Sequence, residues 1–104
     1  MDISISAKHM DLTDALREHV SERVLRVKKY SDHRLNADVH LGVEKYRNMI
    51  HCTVSGNGAK FDSEAEDPQS MYKAIDLCIE KLETQMRRSK KSNRSGDSIK
   101  NAAQ

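Results

Sequence analysis

MYKAIDLCIEKLETQMRRSKK, residues 71–91, is the stretch around which the rest of the chain is organised. Its apolar side chains recur every three or four residues, which places them on one face of an α-helix. That face consists of Met71, Ile75, Cys78, Ile79, Leu82 and Met86. The acidic side chains Asp76, Glu80 and Glu83 fall on one flank of it, and the basic side chains Lys73, Lys81, Arg88 and Lys91 fall on the other. The stretch therefore predicts a helix that anchors a core and turns a basic strip outward.

The length and composition of the chain favour one small globular domain. Its 104 residues suffice for a modest core, and 37% hydrophobic residues in periodic patterns are too many for a chain that is disordered throughout. No apolar run approaches the roughly 20 residues that a membrane span needs. Because residues 1–9 also lack the basic and apolar regions of a signal peptide, we expect a cytoplasmic protein.

Charge is distributed unevenly along the chain. The net charge is only +2, but residues 1–34 carry +1, residues 35–86 carry −4 and residues 87–104 carry +5. Local clusters decide whether a protein binds a polyanion more than its net charge does. The chain is therefore a candidate for nucleic-acid binding.

Alternation of apolar and polar residues predicts four β-strands. They are centred on residues 3–7, 35–43, 50–54 and 59–65. Residues 44–48 read as a charged hairpin turn between the second and third strands, and Gly56-Asn57-Gly58 as a turn that tolerates positive φ before the fourth.

Two helices complete the predicted secondary structure. The first follows Thr13, a plausible N-cap, and its inward stripe consists of Leu16, Val20, Val24 and Val27. The second opens at Asp67-Pro68, with Asp67 as the cap, or with Ser70 as an alternative cap three residues later.

The order β-α-β-β-β-α predicts an α+β fold with two layers. A right-handed crossover makes the first two strands parallel, and the other strands continue as an antiparallel meander. Both helices then cover one face of a four-stranded mixed sheet. We expect residues 1–91 to form this domain and residues 92–104, which are polar and not periodic, to form a disordered tail.

Catalytic and metal-binding chemistry finds little support in the sequence. Cys52 and Cys78 sit among apolar positions, as buried, reduced thiols do. His51 points to the opposite face of its strand from Cys52, so the two cannot form a thiolate–imidazole pair. The five histidines show no spacing typical of metal ligands. We expect no enzyme activity, no cofactor and no metal site.

The basic helix strips are the stronger functional signal. Arg23 and Arg26 on the first helix could join Lys81, Arg88 and Lys91 on the second in one continuous cationic surface, if the helices pack side by side. Such a surface suits the phosphates and shape of folded RNA, although a charged helix face can also serve solubility alone. Few aromatic residues are available for base stacking, and the outer face of the fourth strand is acidic, so we expect neither base-specific recognition nor nucleic acid on that face.

Several short motifs resemble the ribosome hibernation-promoting factor family. The pattern DMYxAID…KLxxQ of that family is matched by residues 70–76 (SMYKAID) and by Lys81-Leu82-Glu83 with Gln85. Residues 26–30 (RVKKY), 43–45 (VEK), the opening IxI and residues 12–17 (LTDALR) match as well, so that the resemblance covers about residues 1–91. Ser70 replaces the usual Asp, and Thr84 replaces a frequent Arg or Lys, which removes one cation from the second helix.

The resemblance implies a non-catalytic protein that binds the small ribosomal subunit. Members of the family lie in the channel between head and body, over the sites of mRNA and of A- and P-site tRNA, and silence translation by occupying it. The resemblance assigns contacts with rRNA to Lys8, Arg23, Arg26, Lys29, Lys81 and Arg88. Charge and helical geometry extend this set to Arg87, Lys90 and Lys91.

The length of the chain indicates a short member of the family, since it leaves no room for the second domain of the long members. By resemblance, the short type promotes paired, hibernating ribosomes together with a separate ribosome modulation factor, and we expect a monomer off the ribosome. Three alternatives remain open. They are an inhibitor that opposes ribosome pairing, a generic module for structured RNA, and an interaction domain that dimerises through its sheet.

Overall fold

In the part of the chain that the structure describes, four strands and two helices follow one another in the order β-α-β-β-β-α, which confirms the predicted α+β fold. The strands are β1 (Asp2–Lys8), β2 (Asn36–Glu44), β3 (Arg47–Gly56) and β4 (Ala59–Asp67). The helices are α1 (Asp14–Leu25), which a 3₁₀ turn (Arg26–Tyr30) follows directly, and α2 (Met71–Ser95). The computed structural model describes residues 1–31 and 33–95, with side chains as far as Ser89.

The strands form one mixed sheet in the order β1-β2-β3-β4. β1 runs parallel to β2 and places Ile5 opposite Val39, while β2, β3 and β4 form an antiparallel meander that continues this row through Cys52 to Ser63. The predicted topology is therefore confirmed. Alternate residues of every strand point to the same face of the sheet, and this register puts the apolar ones on the face that the helices cover.

The core lies between that face and the helices. The inner stripe of α2 is buried as predicted. The inward stripe of α1 is buried as well, but its last residue, Val27, lies in the 3₁₀ turn that ends the helix, as 3₁₀ turns commonly do. Cys52 and Cys78 are both free and fully buried, as expected of small apolar side chains. The Cys78 side chain and burial raise the pKa of the Cys52 thiol, which keeps it protonated.

One polar pair crosses the core between the layers. The Ser63 hydroxyl of β4 donates to the Cys78 carbonyl of α2 at 3.0 Å, and the Cys78 thiol donates to the Ser63 carbonyl at 3.4 Å. Ser63 is thus a buried polar residue whose hydrogen-bonding groups are satisfied. The pair ties one turn of α2 to one position of β4.

The N-terminal cap of α1 agrees with the prediction, whereas the cap of α2 differs from the preferred one. Thr13 caps α1 as predicted, by accepting from the Leu16 amide at 3.2 Å. α2, however, begins after Ser70, whose hydroxyl accepts from the Lys73 amide; the Asp67 carboxylate instead accepts from the amides of Gln69 and Ser70 in the turn before the helix. The preferred Asp67 cap was therefore wrong and the alternative Ser70 cap is confirmed.

The turn between β2 and β3 is tighter than predicted. It consists of only Lys45 and Tyr46, both with positive φ, because a two-residue turn of this kind matches the twist of the paired strands. Asn57 and Gly58 form the corresponding turn between β3 and β4, as predicted, also with positive φ.

α2 extends farther than the predicted domain boundary at Lys91. Its backbone is helical to Ser95, so that the first four positions of the proposed tail belong to the helix. The rest of the predicted disordered tail, residues 96–104, lies outside the described residues.

Candidate nucleic-acid interface on the helix layer

Three of the predicted contact residues form one cluster beside α2. Arg23 is the last basic residue of α1, and Arg26 and Lys29 follow at intervals of three residues in the 3₁₀ turn. Their neighbours Val24 and Val27 are fully buried, so packing fixes the direction in which the basic side chains leave the backbone. We call Arg23, Arg26 and Lys29 the α1 cluster.

Asp76 of α2 holds the first member of this cluster. One carboxylate oxygen of Asp76 accepts from Arg23 Nε at 2.8 Å and lies 2.9 Å from His19 Nε2. Partial burial raises the pKa of Asp76, but the hydrogen bonds from Arg23 and His19 outweigh that effect, so the pKa lies below its usual value. The same hydrogen bond raises the pKa of Arg23.

Glu83 of α2 holds the other two members. Its carboxylate lies 3.1 Å from Arg26 Nη2 and 3.6 Å from Lys29 Nζ, and it accepts from the Tyr30 hydroxyl at 3.3 Å. Glu83 is only 7% exposed, whereas the side chains of Arg26 and Lys29 are about half exposed or more. The Lys29 ammonium also lies 5.3 Å from the centre of the Tyr30 ring, within range of a cation–π contact.

The acidic flank of α2 therefore faces the basic flank of α1. The sequence correctly separates acid from base around α2, but the expected single cationic strip with Lys81 and Arg88 is wrong. These two residues lie on the opposite flank of α2, and its outward ridge, which includes Leu77 and Thr84, separates them from the α1 cluster. Among the described side chains, the predicted contact residues of the helix layer thus form two groups of cations rather than one.

Lys81 and its neighbour Gln85 face the free edge of the sheet. Lys81 Nζ donates to the Glu64 carbonyl at 2.9 Å, and Gln85 Nε2 donates to the Asp62 carbonyl at 2.6 Å. Backbone groups on an edge strand are unpaired and invite pairing with other chains. The Lys and Gln of the KLxxQ motif, four residues apart on one flank of α2, thus cap the edge of β4.

The remaining predicted residues occupy separate places. Arg87 is exposed one turn beyond Glu83, on the flank of the α1 cluster, and Arg88 is exposed two turns beyond Lys81. Lys8 is exposed at the end of β1, but strand alternation puts it on the open face of the sheet, which the helices do not cover. It is therefore not part of the helix-layer surface. The side chains of Lys90 and Lys91 lie outside the described residues.

The open face of the sheet carries a mixed row of polar groups. Ser6 contacts His40 Nδ1 at 2.6 Å, and Asp62 accepts from Thr53 at 2.6 Å and lies 3.1 Å from His51. A concavity of about 740 Å³ is lined by residues of all four strands and of α2, and it contains both acidic and basic side chains, among them Lys8, His40, His51, Glu64 and Lys81. His51 is exposed and points away from the buried Cys52, as the strand register predicts.

Sequence reasoning missed the residues that hold the α1 cluster. His19 and Tyr30 were not assigned to the site, and Asp76 and Glu83 were interpreted only as the acidic side of α2. Their spacing was a usable signal, since the seven residues between Asp76 and Glu83 on α2 are comparable to the six between Arg23 and Lys29.

Metal-ligand clusters and membrane-spanning helices are both absent from residues 1–31 and 33–95. No group of three or more His, Cys, Asp or Glu side chains there is arranged to hold a metal ion. No helix in the same residues is both long enough and apolar enough to cross a membrane.

Comparison with known proteins identifies the family. Residues 3–94 match the family model described as sigma 54 modulation protein / S30EA ribosomal protein. The chain is 37% identical over 86 residues to a ribosome hibernation promoting factor of Azotobacter vinelandii, which covers 83% of this chain and 79% of that protein. It is 34% identical over 90 residues to the ribosome hibernation promoting factor of Escherichia coli (strain K12), covering 86% and 94%.

A solved structure supports the same assignment. The N-terminal domain of Thermus thermophilus Protein Y superimposes with a TM-score of 0.81 at 31% identity, covering 86% of this chain and 99% of that domain. Since the family model spans most of the chain and relatives are more than 30% identical to it over most of its length, the chain belongs to the sigma 54 modulation protein / S30EA ribosomal protein family, which includes the ribosome hibernation promoting factors.

Proposed function

We propose that this protein is a ribosome hibernation factor that binds rRNA of the small ribosomal subunit and represses translation. It occupies the channel used by mRNA and by A- and P-site tRNA, acts in the cytoplasm, and needs neither catalysis nor a cofactor. Membership of the family and the names of its relatives support this role.

The α1 cluster is the observation that carries the proposal. Arg23 and Arg26 each direct one nitrogen at an acid of α2, through Nε and Nη2 respectively. A guanidinium has five N–H donors in a fixed planar arrangement, so most of its donors stay available to phosphate oxygens. Lys29 is the most exposed of the three and adds a third charge beside them. A rigid, partly exposed row of cations suits the phosphates of folded RNA.

Other cations extend this surface. Arg87, on the same flank of α2, is proposed to contact the same RNA segment, and Lys90 and Lys91 are proposed as further contacts beyond it. Lys81 and Arg88 form a second group across the ridge of α2, and Lys8 a third position on the open face of the sheet. These positions are proposed as secondary contacts, since α2 and the sheet separate them from the α1 cluster.

Cosedimentation with small subunits over a series of salt concentrations tests the proposal. Each phosphate contact adds roughly 0.7 to 0.9 to the slope of log affinity against log salt. The double variant Arg26→Gln and Lys29→Gln should therefore lower that slope by roughly 1.4 to 1.8 and weaken binding. Lys45→Gln and Lys60→Gln form the matched control, because they remove the same charge from exposed positions at the ends of strands.

Equal binding by the double variant and its control would rule out the α1 cluster as the contact surface. Circular dichroism must show that both variants keep the native spectrum. A second experiment locates the site on the subunit: mRNA together with initiator tRNA should displace the protein. If the protein stays bound, or binds unrelated structured RNA equally well, it is a generic RNA-binding module instead.

The proposal includes promotion of paired ribosomes, with the help of a separate ribosome modulation factor, by a protein that is monomeric off the ribosome. In sucrose gradients of stationary-phase cells, the protein is expected in the fraction of ribosome pairs. Its presence with single ribosomes alone would indicate the opposite subtype, which opposes pairing. Light scattering of the free protein should give the mass of one chain.

A further inference from the structure

Glu83 places a negative charge inside the proposed RNA-binding surface, where it should weaken the binding of a polyanion. Its carboxylate lies directly under two cations of the proposed RNA surface and is almost fully buried. A buried carboxylate is costly unless it is paired and hydrogen-bonded, and a negative charge near RNA repels phosphate. The residue therefore calls for an explanation beyond solubility.

The contacts of Glu83 and Asp76 explain why acidic residues lie under this surface. Glu83 forms ion pairs with Arg26 and Lys29 and accepts a hydrogen bond from Tyr30. Asp76, two turns earlier on the same flank, directs a single oxygen at Arg23 and His19. The two acids thus hold all three members of the α1 cluster from the protein side and leave the outer sides of these cations exposed.

Long basic side chains are mobile when nothing holds them. Ordering such a side chain on binding lowers affinity by about twofold to tenfold. A side chain that is already held in the free protein avoids most of this loss, because its freedom was lost during folding. The acids thus have two opposite effects on affinity for RNA. They repel the phosphates at longer range, and they favour binding because they fix the cations that contact phosphate.

We propose that Glu83 and Asp76 are positioning residues of the RNA-binding surface: they hold the α1 cluster in its binding geometry before RNA arrives. The inference rests on the proposed function, and it adds that the gain from ordering the basic side chains outweighs the repulsion between the acids and phosphate. Charge counting makes the opposite prediction, since the loss of any acid from a surface that binds RNA should strengthen binding.

Glu80 supplies a matched control. It lies on the same flank of α2, between Asp76 and Glu83, but it is exposed and takes part in none of the ion pairs found among the described residues. Glu83→Gln and Glu80→Gln therefore remove the same charge from the same helix. Only Glu83→Gln removes an acceptor from the α1 cluster.

Affinity for small subunits is measured for both variants, at a temperature where circular dichroism shows each to be fully folded. Glu83→Gln is expected to bind about tenfold more weakly than wild type, since it frees Arg26 and Lys29 together. Glu80→Gln is expected to bind as tightly as wild type or more tightly. The salt dependence of Glu83→Gln should keep the wild-type slope, because the same cations still neutralise the same phosphates. Glu83→Gln binding that equals or exceeds that of Glu80→Gln would overturn the inference.

A measurement on the free protein separates this inference from the proposed function. NMR relaxation of arginine Nε–H groups should show Arg23 and Arg26 ordered in the wild type, Arg26 mobile in Glu83→Gln, and Arg23 mobile in Asp76→Asn. Mobile arginines in the wild type would contradict the positioning role even if subunits bind. Failure of the wild type to bind subunits would instead refute the proposed function, while the relaxation data still decide whether the acids hold the cluster.

Discussion

The two flanks of α2 use charge in opposite ways. On the flank that faces α1, the acids Asp76 and Glu83 hold cations that belong to another element. On the flank that faces β4, Lys81 and Gln85 donate to backbone carbonyls of the edge strand. The first flank is the proposed RNA surface, and the second protects the sheet. The difference teaches that a basic residue in an amphipathic pattern is not necessarily a free cation.

Leu82 is the residue on which both flanks depend. It is fully buried between Lys81 and Glu83, and it anchors this turn of α2 to the core. Leu82→Ala should lower the free energy of unfolding by about 2 to 5 kcal/mol, because it leaves a cavity in a packed core. Urea unfolding measures the change. Leu77→Ala on the same helix is the control, since Leu77 is 43% exposed and its loss should cost about 0.5 kcal/mol or less.

Asp76→Asn weakens the α1 flank alone. At pH 7 it should destabilise the protein by about 1 kcal/mol, since its pair with Arg23 is partly exposed. The pKa of Asp76 is lowered in the folded protein, so the stabilisation is present above the unfolded-state value of about 4 and is lost as the pH falls through the folded value.

The pH dependence of urea unfolding measures this contribution. The difference in stability between wild type and Asp76→Asn should shrink as the pH is lowered below about 4. Asp62 and Asp67, whose pKa values are also lowered, make the same kind of contribution in both proteins and cancel in the comparison. A difference that stays constant from neutral to acidic pH would show that the ion pair does not stabilise the fold.

Gln85→Ala affects the β4 flank and should have the smallest effect on stability. Loss of the hydrogen bond to the partly exposed Asp62 carbonyl is expected to cost about 0.5 kcal/mol. Its more specific consequence is self-association, because an uncapped edge strand can pair with another chain. Light scattering at increasing protein concentration should show more association for Gln85→Ala than for wild type, with small-subunit affinity unchanged. Reduced affinity without association would assign Gln85 to the RNA surface instead.

The sequence predicted the fold well because the fold depends on periodicity. The alternation in β2 and β3 and the apolar stripe of α2 determine which residues face the core, and the short connections restrict the topology. The cap of α2 was less certain, since Asp67 and Ser70 both carry suitable acceptors and only the path of the chain decides between them.

The candidate site was predicted less completely, for a physical reason. Periodicity shows which residues share a flank of a helix, but not which element packs against that flank. The rotation of α1 about its axis depends on how Val20 and Val24 fit between α2 and the sheet, and this fit brought Arg23 to Asp76 rather than into line with Lys81. Lys8 could be placed on the open face by strand alternation alone, yet the family resemblance had grouped it with the helix residues.

The hydrogen bonds between Ser63 and Cys78 have a consequence for both flanks. A helix that packs on a sheet through aliphatic side chains could slide along its axis, and a shift by one turn would move it by about 5.4 Å. Such a shift would take Glu83 away from Arg26 and Gln85 away from Asp62 at the same time. Ser63 and Cys78 can donate to each other's carbonyls at only one axial position of α2, so these hydrogen bonds oppose sliding of the helix along the sheet. Two donor atoms in the core, Ser63 Oγ and Cys78 Sγ, thus keep the proposed RNA surface and the sheet edge aligned with each other.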